Sequence, residues 1–249
     1  MLLAEPAWQV TVRAEFRWHS ARYDTRRLRA ELHAQGYRVG RWRIRRALAA
    51  AGLRAQQPRS FVPRTTDSDP TVRAAPNRVW VGDITYLPQQ GGGWRYLATW
   101  LDRYARKVVG WDVRASMPED LVSEALRRAL AVRQPAAGLV VHSDQGSQYS
   151  ATNFKALVAR HQAVQRMSRR GNCYGNAHAE SFWSRLKTEL LAGGRFRSLS
   201  ETRLEISHYL AYYNAERRHS VLGYLAPNHF ETHFQTTSQL CVAYLDHLN

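Results

Sequence analysis

The sequence is short of acid, of lysine and of cysteine. Only 20 Asp and Glu stand against 36 Lys and Arg. Lys107, Lys155 and Lys187 are its lysines, and every other basic residue is arginine. Two cysteines in 249 residues, Cys173 and Cys241, exclude a disulfide framework. They suit a reducing cytosol and lack the spacing of zinc ligands. No uncharged apolar run of about 18 residues occurs, so no membrane span is expected. The opening MLLAEPAWQVTVRAEFRWH lacks the charged start, long apolar middle and small-residue cleavage site of a secretory signal. The expected location is therefore the cytoplasm.

What the sequence does hold is positive charge, a net +16 with a pI near 10.6. Such a surface implies a polyanionic partner, most simply nucleic acid. A membrane surface fits less well, because no long amphipathic helix carries a clean aromatic face. The plain alternative is an unusually basic soluble enzyme. The arginine skew reflects genomic base composition as well as function, but arginine gives bidentate phosphate and guanine contacts that lysine does not. With 44% hydrophobic residues the chain can bury a core, as one large domain or two to three smaller ones.

Residues 1–55 read as helical and basic. In YDTRRLRAELHAQGY, Asp24 or Thr25 is the N-cap, Leu28 and Leu32 lie one turn apart and Gly36 is the stop. In VGRWRIRRALAAAGL, Ile44, Ala47, Leu48 and Ala51 share a face and Gly52 ends the helix. Two short helices around a glycine-containing turn predict a helix-turn-helix DNA-binding domain. Arg41, Arg43, Arg45 and Arg46 fall off the apolar stripe, where a recognition helix meets DNA. A solvated basic face is the alternative. Residues 56–76 hold four prolines and no periodicity, as a linker does.

From Asn77 the period changes to two. RVWVGDITYLP, WRYLATWLD and RKVVGWDV predict an antiparallel meander. Helix, strand, helix, short strand and long helix follow. The order β-β-β-α-β-α-β-α predicts an α/β fold, a mixed five-stranded sheet with helices on its faces, over residues 77–195. Residues 196–249 are expected to form a C-terminal helical extension, its first helix opened by the capping box Ser198–Glu201.

Three carboxylates stand out. Asp83 sits inside a strand, on the face of Val79 and Val81, where acids are depleted. Asp144, in HSDQGSQYS, follows the apolar run Gly138–Val141. If the first and fourth strands are neighbours, the two face each other, and like charges that close repel unless a cation lies between them. Glu180 flanks the core stripe Ala179, Phe182, Trp183, Leu186 and Leu190 of the long helix. Together they are all-oxygen ligands, suited to Mg²⁺ or Mn²⁺ rather than zinc. Two such ions can activate one oxygen and stabilise the leaving oxygen of a phosphodiester. Taken singly, Asp83 reads equally as a strand-end cap, Asp144 as an Asx-turn and Glu180 as a solvated helix residue. Asp102 and Asp112 are assigned to turns. Trp80, Trp100, Trp111 and Trp183 are most simply core.

The motifs in order resemble the second-reading-frame product of the two-frame insertion-sequence transposases of bacteria. YDTRRLRAEL with GYRVGRWRIRRALAAAGLRA is similar to the family's helix-turn-helix. APNRVWVGDITYLP, HSDQGSQY and GNCYGNAHAESFWSRLKTELL look like its three catalytic motifs, and YNAERRHSVLGYLAP like its C-terminal signature. The likeness runs from about Tyr23 to Pro227, and 35 residues separate Asp144 from Glu180, the family spacing. Two departures are Gly175, where the family usually has Asp, and Asp24, where it usually has glycine.

The resemblance implies a ribonuclease-H-like core of the retroviral-integrase type, with Asp83, Asp144 and Glu180 as its catalytic and metal-binding triad. It implies cleavage at the element's ends, then attack of the freed 3′-OH on another phosphodiester, without a covalent protein intermediate or ATP. The implied partners are double-stranded DNA, further copies of the chain on that DNA, and an upstream-frame product joined by frameshifting, all at the bacterial nucleoid. Lys187 is expected to hold the substrate strand and Arg185 to touch a phosphate more peripherally. For Arg218 and His219, DNA contact and helix-end packing stand as equal readings, and His142 is expected to be structural. The rivals are a DNA-binding repressor with an inactive core and a non-transposing nuclease of the same fold.

Overall fold

The computed structural model describes residues 5–56, 75–168 and 177–246. Most of the expected linker and the loop RGNCYGN with Gly175 lie outside them. The chain divides into two compact units, residues 1–60 with 218–225, and residues 61–217 with 226–249.

The N-terminal unit holds three helices, α1 (Ala7–Trp18), α2 (Thr25–Ala34) and α3 (Arg41–Ala50). The last two are the expected pair; α1 is an addition. Asp24 caps α2 by accepting from the Arg26 and Arg27 amides at 3.1 and 3.0 Å, a cap worth about 1 kcal/mol. Val12, Phe16, Leu28, Leu32, Ile44 and Leu48 make a small core, as the helical spacing of the two leucine–isoleucine stripes predicts.

The second unit is built on a five-stranded sheet ordered β3-β2-β1-β4-β5. Strands β1 (Val79–Pro88), β2 (Trp94–Asp102) and β3 (Val108–Arg114) form the antiparallel meander. Strands β4 (Val140–Ser143) and β5 (Val164–Met167) run parallel to β1, in the register Val79 to Val140 and Val81 to His142. One face packs α4 (Asp120–Arg133) and α6 (Thr152–Arg160) over Trp80, Ala98 and Trp100. The other packs α7 (Ala177–Leu186) and α8 (Leu199–Ala215) over Val81, Leu97, Leu101 and Val113.

Close approach fixes the helix on the first face. A Cβ on Gly110 would lie 2.4 Å from the Ala125 carbonyl, so only glycine lets α4 sit this low on β3. Gly82 has the Trp100 indole over it, with a Cβ there only 2.5 Å from the ring. The indole N–H of Trp100 donates to the Val122 carbonyl at 3.3 Å, and its ring stacks on Phe154.

Several expectations change. Residues 196–249 do not stand apart as an extension. Ile206, Tyr209, Leu210 and Tyr213 of α8 belong to the sheet's core, beside Ala179, Phe182 and Leu186 of α7. The Asn214 amide pairs both backbone groups of Val108 at 2.9 and 2.8 Å, standing in for a missing strand at the sheet edge. The last helix, α9 (Pro227–Asp246), presents Glu231, which accepts from Lys107 at 2.7 Å and pairs with Arg133. The long helix of Glu180 does not run evenly. It passes into a π turn over Lys187–Leu191, where buried Glu189 pairs with fully buried Arg217 and accepts from the Tyr209 hydroxyl. Asp102 does cap a turn, accepting from the amides of Asn77, Tyr104 and Ala105. Asp112 does not; it lies buried within β3 and pairs with Arg114 and Arg128.

Candidate active site and DNA-facing surface

Alternation along β1 turns Val81 and Asp83 to the face that α7 covers. The Trp183 indole of α7 donates to Asp83 Oδ2 at 2.9 Å, and the Ile84 amide to Oδ1 at 2.8 Å. The Asp83 pKa is nevertheless pushed up to about 6. Burial is the main cause. The two hydrogen bonds oppose it, and the negative charges of Asp144 and Glu180 add to it.

Asp144 stands one residue past the end of β4. The last bridged pair of β1 and β4 is Val81 with His142, two residues before Asp83 on one strand and Asp144 on the other. The exposed Asp144 side chain accepts from the Gly146 amide at 3.1 Å, an Asx-turn that feeds the short helix α5 (Ser147–Ser150). The Asx-turn is thus present at Asp144, whose charge also reaches Asp83. Glu180, partly buried in the first turn of α7, contributes its charge to the same neighbourhood. Among the described residues no three His, Cys, Asp or Glu side chains converge tightly enough to form a ready-made metal cage. The carboxylates feel one another without closing on a single point.

Lys187, on the π turn, is exposed. Desolvation lowers its pKa while the Asp83 charge raises it, which puts the ammonium within electrostatic reach of that carboxylate. Arg185 points its influence elsewhere, onto the Tyr213 phenol of α8. His142 Nε2 lies 2.9 Å from Ser168 Oγ. Burial, then the charges of Arg103 and Arg166, lower the imidazole pKa, which favours the neutral ring.

The stripe pattern of α7 identified Trp183 as core but not as the donor to Asp83. Its spacing of three from Glu180 is the signal that was there. Tyr149 belongs to the same neighbourhood. It is buried behind the two aspartates, its hydroxyl has no hydrogen-bond partner among the described residues, and burial, then Asp83 and Asp144, raises its pKa well above the ordinary value.

In the other unit Arg41, Arg43, Arg45 and Arg46 are all exposed on α3. Arg46 lies over the Trp42 ring at 5.4 Å, and that ring is 67% exposed. Arg218 is committed to an ion pair. Its guanidinium forks onto Glu31 at 2.6 and 2.8 Å. The His219 backbone amide donates to the Leu225 carbonyl at 3.0 Å. No helix among the described residues is long and apolar enough to cross a membrane.

Comparisons with known proteins fit this geometry. The family described as "HTH-like domain" matches residues 7–61, and two described as "Integrase core domain" match residues 73–173 and 161–227. The chain is 40% identical over 221 residues to an insertion element IS600 protein of Shigella sonnei, covering 84% of this chain and 80% of that one. It is 36% identical over 232 residues to the transposase of insertion sequence element IS904 of Lactococcus lactis, covering 88% and 91%. It is 37% identical over 233 residues to transposase InsF of insertion sequence IS3A of Escherichia coli, covering 88% and 80%. Among solved structures, a chain of the simian T-cell lymphotropic virus intasome complexed with PP2A regulatory subunit B56 gamma aligns with a TM-score of 0.50 and 16% identity. That alignment covers 77% of this chain and 66% of that one, a likeness of fold.

Proposed function

Because the chain belongs to the insertion-sequence transposases, we propose that Asp83, Asp144 and Glu180 are its catalytic carboxylates and hold two Mg²⁺ or Mn²⁺ ions for cutting and joining DNA at the element's ends. The observation that carries this reading is that the charges of Asp144 and Glu180 both reach half-buried Asp83.

The donor set fits a hard divalent cation. All three side chains are oxygen donors, and repulsion among them is relieved by positive charge. Mg²⁺ usually takes one or two carboxylates and fills its other positions with water and substrate phosphate oxygens, so an open arrangement suits it better than a closed cage. Ions held by these carboxylates would supply Lewis acidity to phosphodiester hydrolysis and transesterification. The chain's own residues do the positioning. The Trp183 and Ile84 N–H groups hold the Asp83 carboxylate in one orientation. The Asx-turn at Gly146 does the same for Asp144. In this reading Lys187 holds a phosphate of the substrate strand, with Arg185 more peripheral; the Asp83 charge acting on Lys187 supports it. Arg41, Arg43, Arg45 and Arg46 serve as the duplex-binding surface of the helix-turn-helix. The partners are then double-stranded DNA, further copies of the chain and an upstream-frame product joined by frameshifting, acting at the nucleoid.

The test is single replacement, Asp83→Asn, Asp144→Asn or Glu180→Gln, assayed for Mg²⁺-dependent joining of oligonucleotide ends. Each variant is expected to lose joining and keep duplex binding. Joining retained by any one of them removes that residue from the set.

A further inference from the structure

Residues Arg218–Leu225 group with the N-terminal helices, not with the helices that flank them in sequence. Backbone and side chain of Arg218 pin this loop to α2. Its amide donates to the Tyr23 hydroxyl at 2.8 Å, and its carbonyl accepts from Arg27 Nε at 2.9 Å. Beyond the Glu31 fork, one more guanidinium N–H reaches the Tyr224 carbonyl at 2.9 Å.

Tyr224 itself has a φ of +64°, following Gly223 at +63°. A bulky aromatic in the left-handed region is strained, and such strain gathers at functional positions. The half-buried Tyr224 side chain lines a cavity of about 330 Å³ with Arg26, Arg29, Ala30, His33 and Arg41. Arg26, Arg29 and His33 recur at i, i+3 and i+7, the exposed face of α2 opposite buried Leu28 and Leu32. Arg41 is the first residue of α3. Among the described residues, none of these three arginines has an acidic partner. Three unpaired guanidinium groups and a phenol around one hollow suit a chain of phosphates. In a helix-turn-helix the first helix of the pair crosses the DNA backbone, which is where α2 stands relative to α3.

We propose that Tyr224, delivered from the C-terminal half, completes with Arg26, Arg29, His33 and Arg41 a phosphate-binding groove for the backbone of duplex DNA, beside the bases met by α3. This rests on the reading of the N-terminal unit as the DNA-binding one. The loop's contribution to DNA is thereby Tyr224, while Arg218 holds it in place.

The experiment uses the full chain and a labelled random-sequence duplex, with affinity measured across a range of KCl. Each lost phosphate contact lowers the slope of log K against log salt by about 0.9, so Arg26→Ala with Arg29→Ala lowers it by about 2. Taking 1 M salt as the point where such contacts contribute nothing, that is roughly 30-fold weaker binding at 0.15 M. Tyr224→Gly relieves the left-handed backbone, so the melting temperature holds or rises, while binding weakens about fivefold, the worth of one hydrogen bond. An unchanged affinity and slope in these variants, with binding lost in an Arg43→Ala, Arg45→Ala, Arg46→Ala comparator, overturns the groove and leaves the DNA-binding reading standing. Weaker binding by Tyr224→Gly with a parallel fall in melting temperature makes the tyrosine merely structural and also overturns it. No duplex binding by the unmodified chain overturns both.

Discussion

Asp83→Asn is expected to make the metal-free protein more stable, and only above a certain pH. The Asp83 pKa rises from 3.8 to about 6 in the folded chain. The folded state therefore binds this proton more tightly than the unfolded one. Stability is full below 3.8, declines as pH climbs towards about 6, and stays reduced above it. A shift of about two units at 1.36 kcal/mol each gives an upper bound near 3 kcal/mol at neutral pH. Asparagine removes the buried charge and its repulsion but accepts through one oxygen, so either the Trp183 or the Ile84 N–H loses its partner, at about 1 kcal/mol. The net gain is about 1–2 kcal/mol, or roughly 2–8 °C in the melting of a unit this size. Thermal unfolding in a chelating buffer from pH 4 to pH 8 reads it directly, as the difference between variant and parent. The difference should vanish or turn slightly negative near pH 4. Added Mg²⁺ should raise the parent's melting temperature and leave the variant nearly still, since the ion relieves in one what the substitution relieves in the other. A gain independent of pH, or a loss at every pH, refutes the electrostatic reasoning.

At a fixed, subsaturating Mg²⁺ concentration joining activity should fall as pH drops, because proton and ion compete for the Asp83 carboxylate, and more Mg²⁺ should move the midpoint to lower pH; a midpoint indifferent to Mg²⁺ contradicts this. Trp183→Phe removes the N–H on Asp83 Oδ2 and should shift that midpoint to higher pH while the α7 core stays packed. Gly82→Ala drives a methyl into the Trp100 ring and should cost about 1–3 kcal/mol in denaturant unfolding. Glu189→Ala strands the fully buried Arg217 and should cost about 3–5 kcal/mol by the same measure.

The three proposed carboxylates are legible because each acid breaks a pattern. Asp83 interrupts an alternating apolar strand face, Asp144 ends an apolar run and Glu180 flanks a helical stripe, and strand order alone brought β1 beside β4. What period and propensity do not encode is where a polar atom points. Trp183 fits its apolar stripe whether or not its N–H meets Asp83. Asp112 beside a strand end looks like a turn residue until Arg128 arrives from α4. Long-range partners were also beyond reach, as with Glu31 and Arg218, 187 positions apart. The basic residues at Arg218 and His219 drew attention by charge, while the neighbouring tyrosine gave no signal except in its backbone angle.

The loop of residues 218–225 gives the N-terminal unit a dependence on translation. A ribosome adding about 5–20 residues per second makes the three helices roughly 10–30 s before the segment that docks on them. Their own small core can gather in that interval, but the Arg218 clasp cannot. A product truncated ahead of that segment would carry the basic helices without their finished groove, so interrupted synthesis would leave fragments poorly equipped to occupy the DNA that complete molecules need.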